Sequence, residues 1–411
     1  MSANGIRRVK LKAVCDRITV GHVGPMADRY TADGVPFLRS QNITPFRLSL
    51  DDIKFIPPDF HKKLAKSALR PGDVAVVRTG YPGTACVIPS TFTELNCADL
   101  VVITPSKELN AYFLAALFNS AWGLASVAGN LVGAAQQHFN IGAARELEVS
   151  LPPRATQDRI AGVLSAYDEL IENNQRRIQI LETMARALYR EWFVEFRFPG
   201  HEKCPLVVSA LGDIPKGWEV KTLAAVAEVN RAQINARNAP DELHYIDIAS
   251  VGPGEIRGIT AYAFADAPGR ARRVVQHGDV LWSCVRPNRR SHALVMHPEP
   301  STIASTGFAV LTASTVPFTF LYFATTTDGF VGYLTNHATG AAYPAVTATT
   351  FEDAHLIIPP APLLARFGEV TIPMSEEIHA LQRQIHNLRR TRDLLLPRLL
   401  SGQVTLTDTA A

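Results

Sequence analysis

Cysteine is scarce in this chain. Its five thiols (Cys15, Cys86, Cys97, Cys204, Cys284) form no C-x-x-C pair in 411 residues, so neither a disulfide framework nor a zinc site is expected, and a reducing cytoplasm is the natural setting. Net charge is nearly absent as well. Lys plus Arg number 41 against 38 Asp plus Glu, and the resulting +3 excludes a histone-like electrostatic binder but not charge gathered on one face. At 47% hydrophobic and 19% charged residues, a largely disordered chain is excluded too. Long apolar runs are missing. Residues 109–144 and 300–327 carry no charge, yet Gly, Asn, Ser, Thr or Pro break both before the ~20 continuous apolar residues of a membrane span. Both are expected as buried elements, with no membrane partner, and the opening MSANGIRRVKLKAVCD has no apolar core for a secretory signal.

Catalytic signatures are lacking. There is no G-x-x-x-x-G-K-[ST] loop and no Asn-Pro-Pro-aromatic or Asp-Pro-Pro-aromatic tetrad. Twelve histidines are present, none in H-E-x-x-H or another ligand spacing, so no metal is expected. Asp51-Asp52 reads as a solvated turn, and the sequon Asn42-Ile43-Thr44 has no meaning in a cytoplasmic chain.

What the chain does have is an internal repeat. Gly133-Ala134-Ala135 recurs as Gly340-Ala341-Ala342, Pro152-Pro153 as Pro359-Pro360, and Phe113-Leu114 as Phe320-Leu321, all at an offset of 207. Pro71-Gly72-Asp73-Val74 meets His277-Gly278-Asp279-Val280 at 206, one loop residue away. Each half therefore holds a domain followed by a long helix: 1–150, 151–200, 201–355 and 356–411. Branched and aromatic runs at 74–77, 100–103, 280–282 and 308–311 predict strands, and 111–118 and 318–325 predict helices. Each domain is mixed α and β.

The long helices show a 4-3 apolar repeat, the pattern of a coiled-coil seam. The first runs Ile160, Leu164, Tyr167, Ile171, Asn174, Ile178, Leu181, Ala185, Leu188, Trp192. The second runs Phe367, Thr371, Met374, Ile378, Leu381, Ile385, Leu388, Arg392, Leu395, Leu399 in the same register. Asn174 is a polar seam residue of the kind that fixes register. Packing is the expected role of Tyr167 and Trp192, and Pro373 should kink the second helix or delay its start. The expected fold class is α+β: two mixed α/β domains in pseudo-twofold arrangement, separated by two long helices that form an antiparallel coiled coil. Residues 160–192 make a rod of ~50 Å. Such a rod suits two readers on duplex DNA, whose half-sites one turn apart lie ~34–36 Å centre to centre.

The segment Ile171-Glu172-Asn173-Asn174-Gln175-Arg176-Arg177-Ile178, continuing to Leu188-Tyr189-Arg190-Glu191-Trp192-Phe193, resembles the central conserved region of type I restriction-modification specificity subunits. The tail Arg392-Asp393-Leu394-Leu395-Leu396-Pro397-Arg398-Leu399-Leu400-Ser401-Gly402 resembles their C-terminal conserved region, and Ile214-Pro215-Lys216-Gly217-Trp218 the start of their second target-recognition domain. The resemblance implies a non-catalytic subunit that reads a bipartite double-stranded DNA target, one half-site per domain. It further implies two methyltransferase (modification) subunits docked on the helices and helicase-nuclease (restriction) subunits joining them. S-adenosylmethionine, ATP and Mg would belong to those partners, leaving this chain without a cofactor. A hidden nuclease or methyltransferase site and a protein-only coiled-coil adaptor are the competing readings.

Charge by segment locates candidate DNA contacts. Residues 1–150 hold 16 basic and 12 acidic groups, whereas 201–358 hold 12 and 14. In the second domain the cations nevertheless cluster, as Arg270, Arg272, Arg273 and as Arg286-Pro287-Asn288-Arg289-Arg290. Arginine bonds guanine O6 and N7 in bidentate fashion and Asn or Gln does the same for adenine, which makes Arg286, Asn288, Arg289 and Arg290 base or phosphate contacts. The equivalent first-domain loop is Arg78-Thr79-Gly80-Tyr81-Pro82-Gly83, whose glycines would let backbone amides approach phosphates. Gln136 and Gln137 read equally as adenine contacts or as part of a turn. Arg39, Gln41 and Asn42 form a further polar group. Singly, any of these arginines could instead pair with a nearby acid or sit in solvent.

Overall fold

The computed structural model describes residues 5–132, 138–401 and 403–404. It divides into two compact units, residues 1–174 with 384–411, and residues 175–383. Each long helix therefore contributes one half to each unit.

In the first unit a four-stranded antiparallel sheet runs in the order Cys15–Val20, Leu100–Pro105, Val74–Val77, Ala85–Val87. Side chains alternate between its faces. Val74, Val76, Val101 and Ile103 pack with Phe113 and Leu114 of the helix Ala111–Asn119, while Ala75, Val77, Leu100 and Val102 pack with Leu38 and Ile43. Burial on both faces is why these strands read as unbroken apolar runs. A smaller sheet joins Val35–Leu38 to Lys54–Ile56 and, in parallel, to Asn96–Cys97.

The second unit repeats this plan. Its main sheet has the order Ala227–Val229, Phe308–Ala313, Val280–Ser283, His292–Leu294, again antiparallel throughout. Beside it, Glu242–Ile246 pairs in parallel with Thr302–Ser305, as Val35–Leu38 does with Asn96–Cys97 in the first unit. The predicted helix over 318–325 forms, with Phe320 and Leu321 fully buried.

The Gly-Asp repeat marker has a structural reason. Gly72 and Gly278 have φ of +86° and +85°, a conformation glycine adopts without strain. The aspartate that follows is buried in both copies. Asp73 accepts from the Arg70 amide and from Thr104 Oγ1, at 2.8 and 2.6 Å. Asp279 accepts from the Gln276 amide and from Thr312 Oγ1, at 2.8 and 2.7 Å.

The helices are Arg154–Tyr189, prolonged by a wide turn over Arg190–Val194, and Ala361–Leu400. Their halves pair antiparallel in each unit. In the first, Asp168 pairs with Arg392 and Asn174 Nδ2 donates to Gln384 Oε1 at 3.1 Å. In the second, Arg177 pairs with Glu377, and Tyr189 and Phe193 meet the Phe367 ring at 6.1 and 4.9 Å. Rising numbers on one helix meet falling numbers on the other. The seam is as patterned: Ile160, Leu164, Ile171, Asn174, Ala185, Phe367, Thr371, Leu381, Ile385 and Leu399 are buried. Tyr167, Ile178, Leu181, Leu188, Met374, Ile378, Leu388 and Leu395 are half-buried. Trp192 packs in the second unit's core.

Pro373 does not delay the second helix, which starts at Ala361 and continues through it. The amide that proline lacks would have bonded the Glu369 carbonyl, and Glu369 and Pro373 both lie on the exposed side of the helix, where solvent can serve an orphaned acceptor. Arg392 is accommodated by the Asp168 carboxylate and by the Phe46 ring, whose centroid lies 4.6 Å from the guanidinium carbon.

Among the described residues no single helix is long and apolar enough to cross a membrane. The consecutive helices Ala111–Asn119 and Ala121–Ala128 are bent by 71° from each other, and residues 113–118 are core.

Candidate nucleic-acid interface

In the first unit the candidate residues lie on two loops. Between the strands Val74–Val77 and Ala85–Val87, Gly80 and Gly83 both take positive φ and hold Tyr81 at the loop tip, 85% exposed. Arg78 is half-buried and its Nη1 donates to Asp99 Oδ1 at 3.1 Å, while Thr79 Oγ1 donates to the other carboxylate oxygen at 2.5 Å. Arg78 is thus a braced cation and not a free one.

Asp99 also lines a surface cleft of about 530 Å³ with Met26, Tyr30, Arg39 and Gln41. Arg39 Nη2 donates to Asp52 Oδ2 at 3.0 Å and Gln41 Nε2 to the same oxygen at 3.3 Å. Hydrogen bonds from Lys54 and then Arg39 hold the Asp52 carboxyl down at about 2, so the acid stays charged.

Asn42 does not belong to this surface. It is fully buried, accepts the Arg39 amide at 3.0 Å, and donates to the Ser49 and Asp51 carbonyls at 3.1 Å each. All its polar atoms hold the loop together, which withdraws it from the candidate contacts. Gln136 and Gln137 lie outside the described residues.

In the second unit the arginine loop leaves the strand Val280–Ser283 and has an unusual backbone. Arg286 and Arg290 flank a single helical turn, Pro287–Arg289, and both take left-handed φ, +51° and +55°. Such a conformation costs a non-glycine residue ~1–3 kcal/mol and persists only where the surroundings impose it. Here a second loop imposes it. The Arg286 amide donates to the Pro344 carbonyl at 2.7 Å, and the Val346 amide to the Cys284 carbonyl at 2.9 Å. The guanidinium of Arg286 stacks 4.7 Å above Tyr343, which is 69% exposed. Arg290 pairs with Asp328. Asn288 and Arg289 are exposed, and among the described residues neither side chain has a hydrogen bond or ion pair.

The other arginine cluster divides. Arg270 is exposed, whereas Arg272 donates to the Ala271 carbonyl at 2.7 Å and covers the Phe264 ring. Arg273 is half-buried on the strand Ala271–Val274, and burial pulls its pKa down. It lies within electrostatic range of Cys284, the residue before the bridged stretch of the arginine loop.

Each unit has its own set of candidate groups: Arg286, Asn288, Arg289 and Tyr343 in the second, and Tyr81 with the Arg39–Gln41 cleft in the first. Tyr343 was missed in the sequence because its partner Arg286 is 57 residues away; its only signal was its place next to the repeated Gly-Ala-Ala. These groups can bond base edges, stack on bases and neutralise phosphates.

Comparison with known proteins agrees with this geometry. A family model described as a type I restriction modification DNA specificity domain matches residues 64–183. The specificity subunit of the type I restriction enzyme MjaIX of Methanocaldococcus jannaschii is 25% identical over 273 residues, covering 64% of this chain and 62% of that protein. The HindI specificity subunit of Haemophilus influenzae is 22% identical, over 63% and 69% of the two chains. The match therefore spans less than two thirds of the first relative. The S subunit of a type I system from M. genitalium shares the fold over 99% of this chain and 98% of its own, with a TM-score of 0.63 at 14% identity. Residues 64–183 thus match the type I restriction modification DNA specificity domain, and the chain as a whole is similar to specificity subunits of type I restriction enzymes.

Proposed function

We propose that this chain is the non-catalytic DNA-specificity subunit of a type I restriction-modification complex and reads a bipartite target, one half-site with each recognition domain. The observation that carries the reading is the matched pair of loops. Two sheets with the same strand order each extend, from the same strand pair, a loop bearing an arginine and an exposed polar or aromatic tip: Arg78 and Tyr81 in one, Arg286 to Arg290 in the other. Two readers in one chain suit two half-sites. The paired helices offer methyltransferase subunits their exposed outer faces, and restriction subunits would join that assembly. Arg39, Gln41, Arg78, Tyr81, Arg270, Arg286, Asn288 and Arg289 are the proposed contacts.

The test is a domain exchange. Residues 1–150 are replaced by the first domain of another family member, and methylation by the assembled complex is mapped on a library of duplexes. One half-site should change and the other stay. If both change together, or neither does, independent reading by two domains is wrong.

A further inference from the structure

We propose that His277, His297 and Glu376 form a binding site for one divalent transition-metal ion of the zinc, cobalt and nickel class, with His379 close by. No sequence spacing groups these histidines; the fold of the second unit does. One ligand atom from each of the first three lies within 4.8 Å of the others. His297 Nε2 is 2.7 Å from one oxygen of Glu376, and His277 Nε2 is 3.9 Å from the other. The His277 and His297 ring centres are 4.4 Å apart, and His379 stands 5.6 Å from His297. Glu376 and His379 are three apart on the helix Ala361–Leu400, which puts them on one face.

The donor set selects the ion. Imidazole nitrogens suit zinc, cobalt and nickel, whereas magnesium and calcium take oxygen. Ligands ~2.0–2.2 Å from a tetrahedral ion stand ~3.3–3.6 Å from each other. The two Glu376 distances straddle that spacing, so small movements of these side chains would close the site. Metal entry replaces the contact between His297 and Glu376, and the long 3.3 Å contact from the His297 amide to His277 Nδ1, at the edge of hydrogen-bond range, gives way.

The fold does not need these side chains. In the first repeat the turn is Pro71-Gly72-Asp73, and there the glycine and aspartate do the structural work without a histidine. His297 moreover holds a φ of +45°, uncommon outside glycine. A bound ion would tie the turn at 277 and the loop at 297 to the C-terminal helix, stiffening the second recognition domain.

The test uses the full chain, stripped with EDTA and titrated with Zn²⁺ and with Co²⁺ by calorimetry and visible absorption. One ion per chain is expected at micromolar or lower free metal, with cobalt d–d bands, a higher Tm and at least two imidazole ligands by X-ray absorption. His297→Ala and Glu376→Gln should each weaken uptake ~10- to 100-fold or more. His337→Ala, outside the cluster, should leave it unchanged. Absence of saturable uptake below millimolar metal overturns the site. So does uptake unaltered in a folded His297→Ala/Glu376→Gln variant. Should that variant not fold, the ligand count on the native chain still decides, since fewer than two imidazoles excludes the site.

Discussion

Arg17 Nη2 donates to Asp73 Oδ2 at 2.6 Å, giving the buried aspartate of the first repeat an ion pair that its counterpart Asp279, with Arg231 only at longer range, does not have among the described residues. The two turns otherwise match, down to the amide and threonine donors. Burial accordingly pushes the Asp279 carboxyl up from its usual range, against the hydrogen bond from Thr312. Asp73→Asn should cost ~2–3 kcal/mol because it leaves Arg17 without its counter-charge. Asp279→Asn should cost ~1 kcal/mol or less, since the amide can donate to Thr312 while its oxygen keeps the Gln276 amide. Denaturant unfolding of both variants checks this; equal losses would refute the asymmetry.

The seam gives a second prediction. Ile171 and Ile385 are 3% and 7% exposed and belong to the same unit. Lysine at either position buries an unpaired ammonium and should cost ~3 kcal/mol or more. Glu172→Lys, at an exposed neighbour, should cost less than ~1 kcal/mol. Limited proteolysis within 154–189 reads out helix separation. If Ile385→Lys melts like the native chain, the pairing does not carry the first unit's stability.

Both the seam and the repeat were legible in the sequence, because each is a local regularity: a 4-3 spacing and an offset of 207 that neighbouring residues repeat. The two central strands of each main sheet were legible for the same reason, as short apolar runs, one in each sheet following a Gly-Asp turn, whereas the outer strands were not. Contacts between distant segments were not. Nothing near Phe37 announces a parallel pairing with Asn96. Asn42 looks like a reader in sequence, and only the return of the chain at Ser49 and Asp51 turns it into an internal brace. Arg78 and Arg290 look free until Asp99 and Asp328 arrive. Pro373 did not delay the helix as expected, because proline's cost depends on its surroundings in the fold, which sequence alone does not tell.

His292 predicts an acid sensitivity in the second unit. It is 3% exposed and stacked on Trp282 at 4.7 Å; burial first, then Arg186 and Arg290, lowers its pKa from 6.5 to about 4. The folded value is below the unfolded one, so the unfolded chain takes up the proton first as pH falls. Stability is therefore undiminished above ~6.5, declines between 6.5 and about 4, and stays reduced by ~3 kcal/mol below that. Urea unfolding at pH 7 and pH 4.5 in the native chain and in His292→Phe measures the contribution. A pH slope that survives the substitution assigns the sensitivity elsewhere.

The arginine loop gives the sharpest test of the DNA face, because its three arginines do different things. Arg289 is exposed beside Asn288, Arg286 is spread over Tyr343, and Arg290 is spent on Asp328. A cation already paired has less to offer a phosphate than one in solvent, so the effects of Ala substitutions should rank with Arg289 above Arg290. If Arg289 reads a base, its loss costs ~1–3 kcal/mol of binding and relaxes one position of one half-site. If it holds a phosphate, binding weakens on all sequences and the salt slope falls by ~1. Arg290→Ala should leave the salt slope nearly unchanged and act through the loop's shape. Tyr343→Ala should resemble a loss of Arg286 positioning, weakening binding without a change in salt slope. Each variant is assembled with its partner subunits and bound to duplex over a range of salt concentrations. Arg289→Ala with native affinity and native salt slope would remove this loop from the interface.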